Sequence, residues 1–379
     1  MSNFGNAVEY TRELVKINSF ETEGKYKAIK YVENILRQNT DADITLYGMD
    51  TDAPFMVAKI IPENPQFKLL IEGHLDVVSA EGMENPFDPV INDGIMYGRG
   101  SCDMKSGCAA ILTAFIAASH DKNIKGALYL MYSTDEEYAG EEIKTALKNG
   151  IIPKVDFAAI AEPTGGIIRN THKGEAWVNV DFTGKSAHSS MPEKGINAIY
   201  MASAYIEKLR KLLTTYEKYR HVQFGVPTMS VGVIEGGSNP NVVAPNARIK
   251  IDIRYLPGEE AEKYVADLVG IADECKREWP EFKAEVKLTG NWNSLYTDKT
   301  TDEFKTYKTA IDKAAGYEIE TGIMTGWGEG GYINMYGIPT AYYGPGSMDF
   351  AHTPNEHVAV DEITIAVRAY YNIIKAFCF

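Results

Sequence analysis

The chain has 379 residues, 45% of them apolar, and a formal net charge of −14. That length exceeds what one hydrophobic core usually serves, so two domains are expected. The negative charge argues against nucleic acid or an anionic membrane as partner, because either would repel such a surface, and favours a protein that handles small molecules.

No apolar stretch approaches the ~20 residues of a membrane span, and the opening Met-Ser-Asn-Phe-Gly lacks the basic and apolar regions of a secretion signal, so a cytoplasmic location is expected. Cys102, Cys108, Cys275 and Cys378 form no CxxC pair and are too few for a disulfide framework, which suits a reducing compartment.

Helical periodicity opens the chain through Val8, Leu14 and Val15, and again through Ile29, Val32, Ile35 and Leu36. An apolar strand follows at 67–71, then a helix at 109–118 after a turn at 105–107, and further strands at 126–133 and 155–161. From 173 to 290 the pattern changes to alternation. Strands are predicted at 175–182, 227–233, 247–255 and 282–288, with helices at 197–213 and 259–279. This βαββαβ order is that of a small α+β, ferredoxin-like unit inserted into a larger domain. A helix at 301–315 and a strand at 338–343 then resume the first pattern. The expected fold is α/β, with a mostly parallel central sheet covered by helices on both faces, split into residues 1–172 and 291–379 by the insert 173–290.

The strands of the larger domain end on polar residues. The first runs into Glu72-Gly-His74-Leu-Asp76, the second into Thr134-Asp-Glu-Glu137, the third into Glu162-Pro163, and the last into 344–352, which ends on His352. A further polar knot, Gly98-Arg-Gly-Ser-Cys-Asp103, precedes the helix. A histidine at a strand end is ordinarily a solvated polar residue, and an acidic run after a strand is ordinarily loop. In a parallel sheet, however, the carboxyl ends of the strands share one edge, so these segments converge. Carboxylates so gathered repel one another unless a cation lies among them. Mixed His, Asp and Glu ligation without thiolate suits Zn²⁺, Co²⁺ or Mn²⁺, and carboxylates bridge paired ions ~3.5–4 Å apart. On this reading His74 is a ligand and Asp76, two residues on, orients its ring.

The stretches "GHLDVV", "NPFDPVINDGIMYGRGSCDMKSG", "STDEE", "AEP", "SAHSSMPEKGINAI", "NVVAPNARIKIDIRYLPG" and "YGPGSMDFAHTPNEHV" occur in one order along nearly the whole chain. Together they resemble the M20 metallopeptidase and deacylase family, which includes acetylornithine deacetylase, succinyl-diaminopimelate desuccinylase, aminoacylase and carboxypeptidase G. The resemblance implies two divalent metal ions, Zn²⁺ first. His74 and Glu162 would hold one, Glu137 and His352 the other, and Asp103 would bridge them, with a cis peptide bond at Asp103–Met104. It makes Asp76 the support of His74 and Glu136 the general base.

In the insert, the resemblance implies a lid and dimerisation domain. His188 would reach across a homodimer to the oxyanion, while Arg254, Asn241 and Gly346 would hold the substrate's carboxylate. Two departures stand out: Met83 replaces a tryptophan common before "NPFDP", and Glu329 lies where many peptidase members carry Asp. The implied activity is hydrolysis of an N-acyl amino acid in the manner of acetylornithine deacetylase, with a di- or tripeptidase or a carboxypeptidase as the alternative and a non-catalytic metal-binding scaffold as a third reading.

Overall fold

The computed structural model describes residues 6–379. The described chain divides into two compact units, one made of residues up to 171 together with 295–379 and the other of 172–294.

In the first unit the strands Ala127–Ser133, Lys68–His74, Phe157–Ile160 and Thr340–Tyr342 lie side by side and parallel. Phe55–Ile60 and Asp43–Tyr47 extend this sheet antiparallel on one side, and Ile168–His172 adds on the other. Side chains alternate across the sheet. Leu69, Ile71, Leu128, Leu130, Phe157 and Ala159 share one buried cluster with the helices Thr22–Asn39, Lys105–Ser119, Asp302–Ala315 and Val360–Cys378. The alternate positions, Leu70, Met131, Ala158 and Ile160, face the other way and are also buried. The short helix Gly330–Met335 packs against Phe157–Ile160 and Thr340–Tyr342, and the helix Glu141–Lys148 packs against it.

Helix Lys105–Ser119 is apolar all round, as a helix buried on every side must be, and every residue from Lys105 to Phe115 is buried. It starts four residues earlier than the sequence predicts. The segment 105–107 is its first turn, and the ammonium of the fully buried Lys105 donates to the carbonyl of Ile17 at 2.7 Å. Gly107 belongs there for a steric reason: a Cβ on it would sit 2.0 Å from the carbonyl oxygen of Ala161. The helix therefore approaches the end of strand Phe157–Ile160 more closely than any side chain allows.

Register levels the strand ends. His74 pairs with Ser133, Glu72 with Ile160, and Tyr342 with Ile160. The residues that follow each strand therefore leave the sheet at one edge.

The second unit is a four-stranded antiparallel sheet in the order Thr228–Gly236, Asn246–Tyr255, Gly174–Thr183, Ala284–Trp292. Its core joins Val178, Val180, Phe182, Ile249, Ile251 and Ile253 to Tyr205 and Leu209 of helix Ala198–Thr215 and to Tyr264 and Leu268 of helix Ala261–Glu278. The alternation of apolar residues in the sequence corresponds to this one-sided burial. Among the described residues no helix is long and apolar enough to cross a membrane.

Candidate metal centre

His74 is the last residue of its strand and is 1% exposed. Its Nε2 lies 3.2 Å from Asp103 Oδ1, 3.6 Å from Glu162 Oε1 and 3.9 Å from Glu136 Oε2. Its Nδ1 points to Asp76, 3.2 Å from the carbonyl oxygen and 3.4 Å from Oδ1. The carbonyl contact is the shorter, and buried Oδ1 has no well-formed hydrogen bond of its own. Asp76 Oδ2 accepts the Glu137 N–H at 3.2 Å. Asp76 thus faces the ring that turns its other nitrogen toward the acids, and it also holds the backbone of Glu137.

The second histidine approaches from the loop after strand Thr340–Tyr342. His352 adopts φ +60, a conformation rare for a residue other than Gly or Asn and one that persists where surrounding structure enforces it. Its Nε2 lies 2.9 Å from Glu137 Oε2, 3.0 Å from Glu137 Oε1 and 3.4 Å from Asp103 Oδ2. Asp103 therefore spans the two imidazoles with its two oxygens. The donor atoms of His74, Asp103 and Glu162 all lie within 4.8 Å of one another, as do those of Asp103, Glu137 and His352. The peptide bond after Asp103 is cis.

Electrostatics follow from crowding. Burial raises Glu162 and Glu136 well above the ordinary carboxylate range; neighbouring acids add to this and His74 opposes it. Burial and Asp103 push Glu137 up to about 7. His352 is pushed up to about 10 by its hydrogen bonds to Asp103 and Glu137. Burial also opposes the charge on Asp103, but the two histidines outweigh it and hold its pKa down. Carboxylates that raise one another in this way are ones a divalent cation would keep ionised. The donor set fits: each group offers one imidazole and two carboxylates, one carboxylate is common to both, and no thiolate takes part.

Acids to which the sequence alone assigns no role surround this centre. Glu72, two residues before His74 on the same face of the strand, is 1% exposed. Ser133 Oγ donates to Glu329 Oε2 at 2.8 Å and lies 3.4 Å from Glu72 Oε1. Glu142, pushed up to about 9 chiefly by burial, accepts the Thr134 N–H through Oε1 at 3.0 Å and so holds the start of the 134–137 loop. The available signal was an acid inside an otherwise apolar run, as with Glu72. Glu329 was visible only as a departure from the family pattern.

The residues expected in the insert lie in the second unit. His188 is exposed, and its Nδ1 accepts the Ser190 N–H at 3.2 Å, with Ser190 Oγ at 2.8 Å. In the neutral ring this puts the proton on Nε2. Ser189 N–H donates to the carbonyl of Asn241 at 3.1 Å, so the segments that carry His188 and Asn241 are tied together.

Arg254 is already engaged. Its Nε donates to Asp252 Oδ1 at 3.0 Å, and its Nη2 reaches Asp252 Oδ2 at 3.2 Å and Glu175 Oε1 at 2.8 Å, so that Nη1 is the nitrogen outside these contacts. Gly346, in the first unit, does not offer its N–H to a carboxylate in the expected way: that N–H donates to Glu362 Oε2 at 2.6 Å, and its carbonyl accepts the Gly165 N–H at 2.8 Å. Its φ of +87 and the 2.5 Å that would separate a Cβ from Cys102 Sγ make it a packing glycine.

Comparison with known proteins identifies relatives of the whole chain. Acetylornithine deacetylase of Photorhabdus laumondii is 32% identical over 323 residues, covering 82% of this chain and 80% of that protein. Acetylornithine deacetylase of Buchnera aphidicola is 28% identical over 383 residues, covering 96% and 98%. Among solved structures, a tripeptidase from Staphylococcus aureus superposes with a TM-score of 0.80 at 22% identity, covering 99% and 98%, which speaks to the fold. The family described as peptidase family M20/M25/M40 matches residues 70–376, and the chain belongs to that family as a metal-dependent amidohydrolase.

Proposed function

We propose that the protein removes the acyl group from an N-acyl amino acid with a free carboxylate, an acetylornithine-like compound being the leading substrate. The observation that carries this reading is Asp103 shared between two His/carboxylate donor groups with Glu136 beside them. The names of the sequence relatives favour deacylation over peptide cleavage. His74 and Glu162 would hold one divalent ion, Glu137 and His352 the other, and Asp103 both. Zn²⁺ is the first candidate, Co²⁺ or Mn²⁺ the alternatives. Bound there, such ions supply Lewis acidity that acidifies water and polarises a carbonyl.

The chain's own groups account for the rest. Glu136, its basicity raised by burial, takes a proton from water at Oε2 and returns it to the leaving nitrogen. Asp76 keeps the His74 ring in one orientation. His188, with Nδ1 occupied by Ser190, offers Nε2–H to the oxyanion from a second copy of the chain in a cytoplasmic homodimer, a contribution of about 10²–10³ in rate for such a donor. Arg254, through Nη1, and the side chain of Asn241 take the substrate carboxylate.

The test is hydrolysis of N-acetyl and N-succinyl amino acids and of dipeptides by chelated protein, with Zn²⁺, Co²⁺ or Mn²⁺ restored separately. Metal-dependent deacylation is expected. Dipeptide cleavage alone would replace the deacylase reading with the peptidase one, and no turnover with any ion would remove both.

A further inference from the structure

We propose that Glu356 is a positioning residue of the metal centre, holding the loop that carries Asp103 in register with the segment that carries His352. The inference rests on the functional reading above, because the ligands are those assigned there.

Glu356 is fully buried, and one of its oxygens, Oε1, accepts three backbone N–H groups: Gly100 at 2.9 Å, Cys102 at 3.0 Å and Asp103 at 3.0 Å. The other, Oε2, lies 2.5 Å from Nη1 of Arg99, itself 2% exposed. The Glu356 carbonyl accepts the Gly98 N–H at 3.3 Å. Convergent backbone N–H groups form an anion-binding concavity of the kind that elsewhere receives phosphate. Here the anion is a side chain of the protein, and what it fixes is the backbone of a ligand.

Two features make this more than a structural tie. Asp103 is one of the three donors, so the carboxylate acts directly on the residue whose oxygens face both imidazoles. Glu356 also lies four residues after His352, so a single side chain links the carriers of two ligands of the same group. The loop it holds has little stiffness of its own, since Gly98 and Gly100 take positive φ. Partners that orient a ligand from outside are worth about 10–100-fold in metal affinity or activity.

Glu356→Gln keeps the shape and one acceptor oxygen but removes the charge that draws four donors together. Zinc affinity of the chelated protein is measured by competition with a chromophoric chelator at a temperature where circular dichroism shows the variant folded, alongside the visible spectrum of the Co²⁺ form and kcat and KM. The expected result is zinc binding weakened about 10-fold or more, an altered Co²⁺ spectrum, and a fall in kcat with KM little changed. A structural role alone would lower the melting temperature and leave affinity and spectrum as in wild type, and that outcome overturns the proposal. Should Glu356→Gln not fold, Arg99→Lys, which leaves the carboxylate in place and changes how Oε2 is held, is expected to weaken zinc a few-fold; wild-type affinity there overturns the proposal equally. Wild-type protein that binds none of Zn²⁺, Co²⁺ and Mn²⁺ refutes the functional reading instead.

Discussion

Gly107→Ala adds one methyl group at the point where the central helix meets the strand end before Glu162. The new carbon would lie 2.0 Å from the Ala161 carbonyl oxygen, about 1.4 Å short of ordinary contact at 3.4 Å, and 3.0 Å from the Ala161 carbonyl carbon and Cβ. Backbone atoms cannot rotate aside, so helix or strand must shift. Overpacking of this kind costs about 1–3 kcal/mol, and the backbone clash places this site at the upper end. Alanine's better helix propensity returns about 1 kcal/mol. A net loss of about 2 kcal/mol lowers the melting temperature by roughly 4–8 °C in a unit of this size. The shift falls between Asp103 and Glu162, and misplacing a reacting constellation by about 1 Å costs on the order of 10² in rate. Gly270→Ala is the control: it lies in helix Ala261–Glu278 with nothing within 4 Å of the added carbon, so a melting temperature unchanged or slightly raised is expected. The measurement is differential scanning calorimetry of both variants with turnover on the substrate found in the screen. If Gly107→Ala melts with wild type and turns over within two-fold of it, the close approach of helix and strand is not what the structure describes.

Glu136→Gln is expected to lower kcat by about 10²–10⁴ with KM nearly unchanged, and equal turnover by both proteins would remove the general base. Asp103→Asn takes the charge from between the two histidines, so zinc retained after dialysis, read by atomic absorption, should fall; wild-type stoichiometry contradicts a shared ligand. His172 is fully buried, and burial holds its pKa down to about 4, with Arg254 adding to the effect. Between pH 6.5 and 4 the unfolded chain binds a proton the folded chain refuses, so stability falls as pH drops through that window, by about 3 kcal/mol in all. Urea midpoints at pH 7 and pH 5 should therefore separate more for wild type than for His172→Asn, and equal separation refutes the assignment.

What the sequence made legible followed from local rules. Strands 126–133 and 247–255 announce themselves by apolar runs or alternation, and their observed bounds, Ala127–Ser133 and Asn246–Tyr255, lie within a residue of those expected. Polar residues at the carboxyl ends of parallel strands were readable as a site because sheet geometry brings such ends together whatever the intervening chain does. Short pieces were not readable: Val90–Asn92, exposed throughout, and Ile95–Tyr97 owe their form to pairing with each other and with His357–Ala359, and helix Gly330–Met335 has too few residues for a period to show.

Contacts that close over long separations were equally hidden. Arg99 meets Glu356 across 257 positions, and each alone reads as a surface charge. Arg254 shows the limit from the other direction. Resemblance supplied a role for its guanidinium, but only the structure shows that Asp252 and Glu175 already hold two of its nitrogens. Were Arg254 to take the substrate carboxylate as proposed, it would do so beside the carboxylates of Asp252 and Glu175. On that proposal the two neighbouring anions would weigh against a second free acid on the substrate and leave a neutral or cationic side chain unopposed.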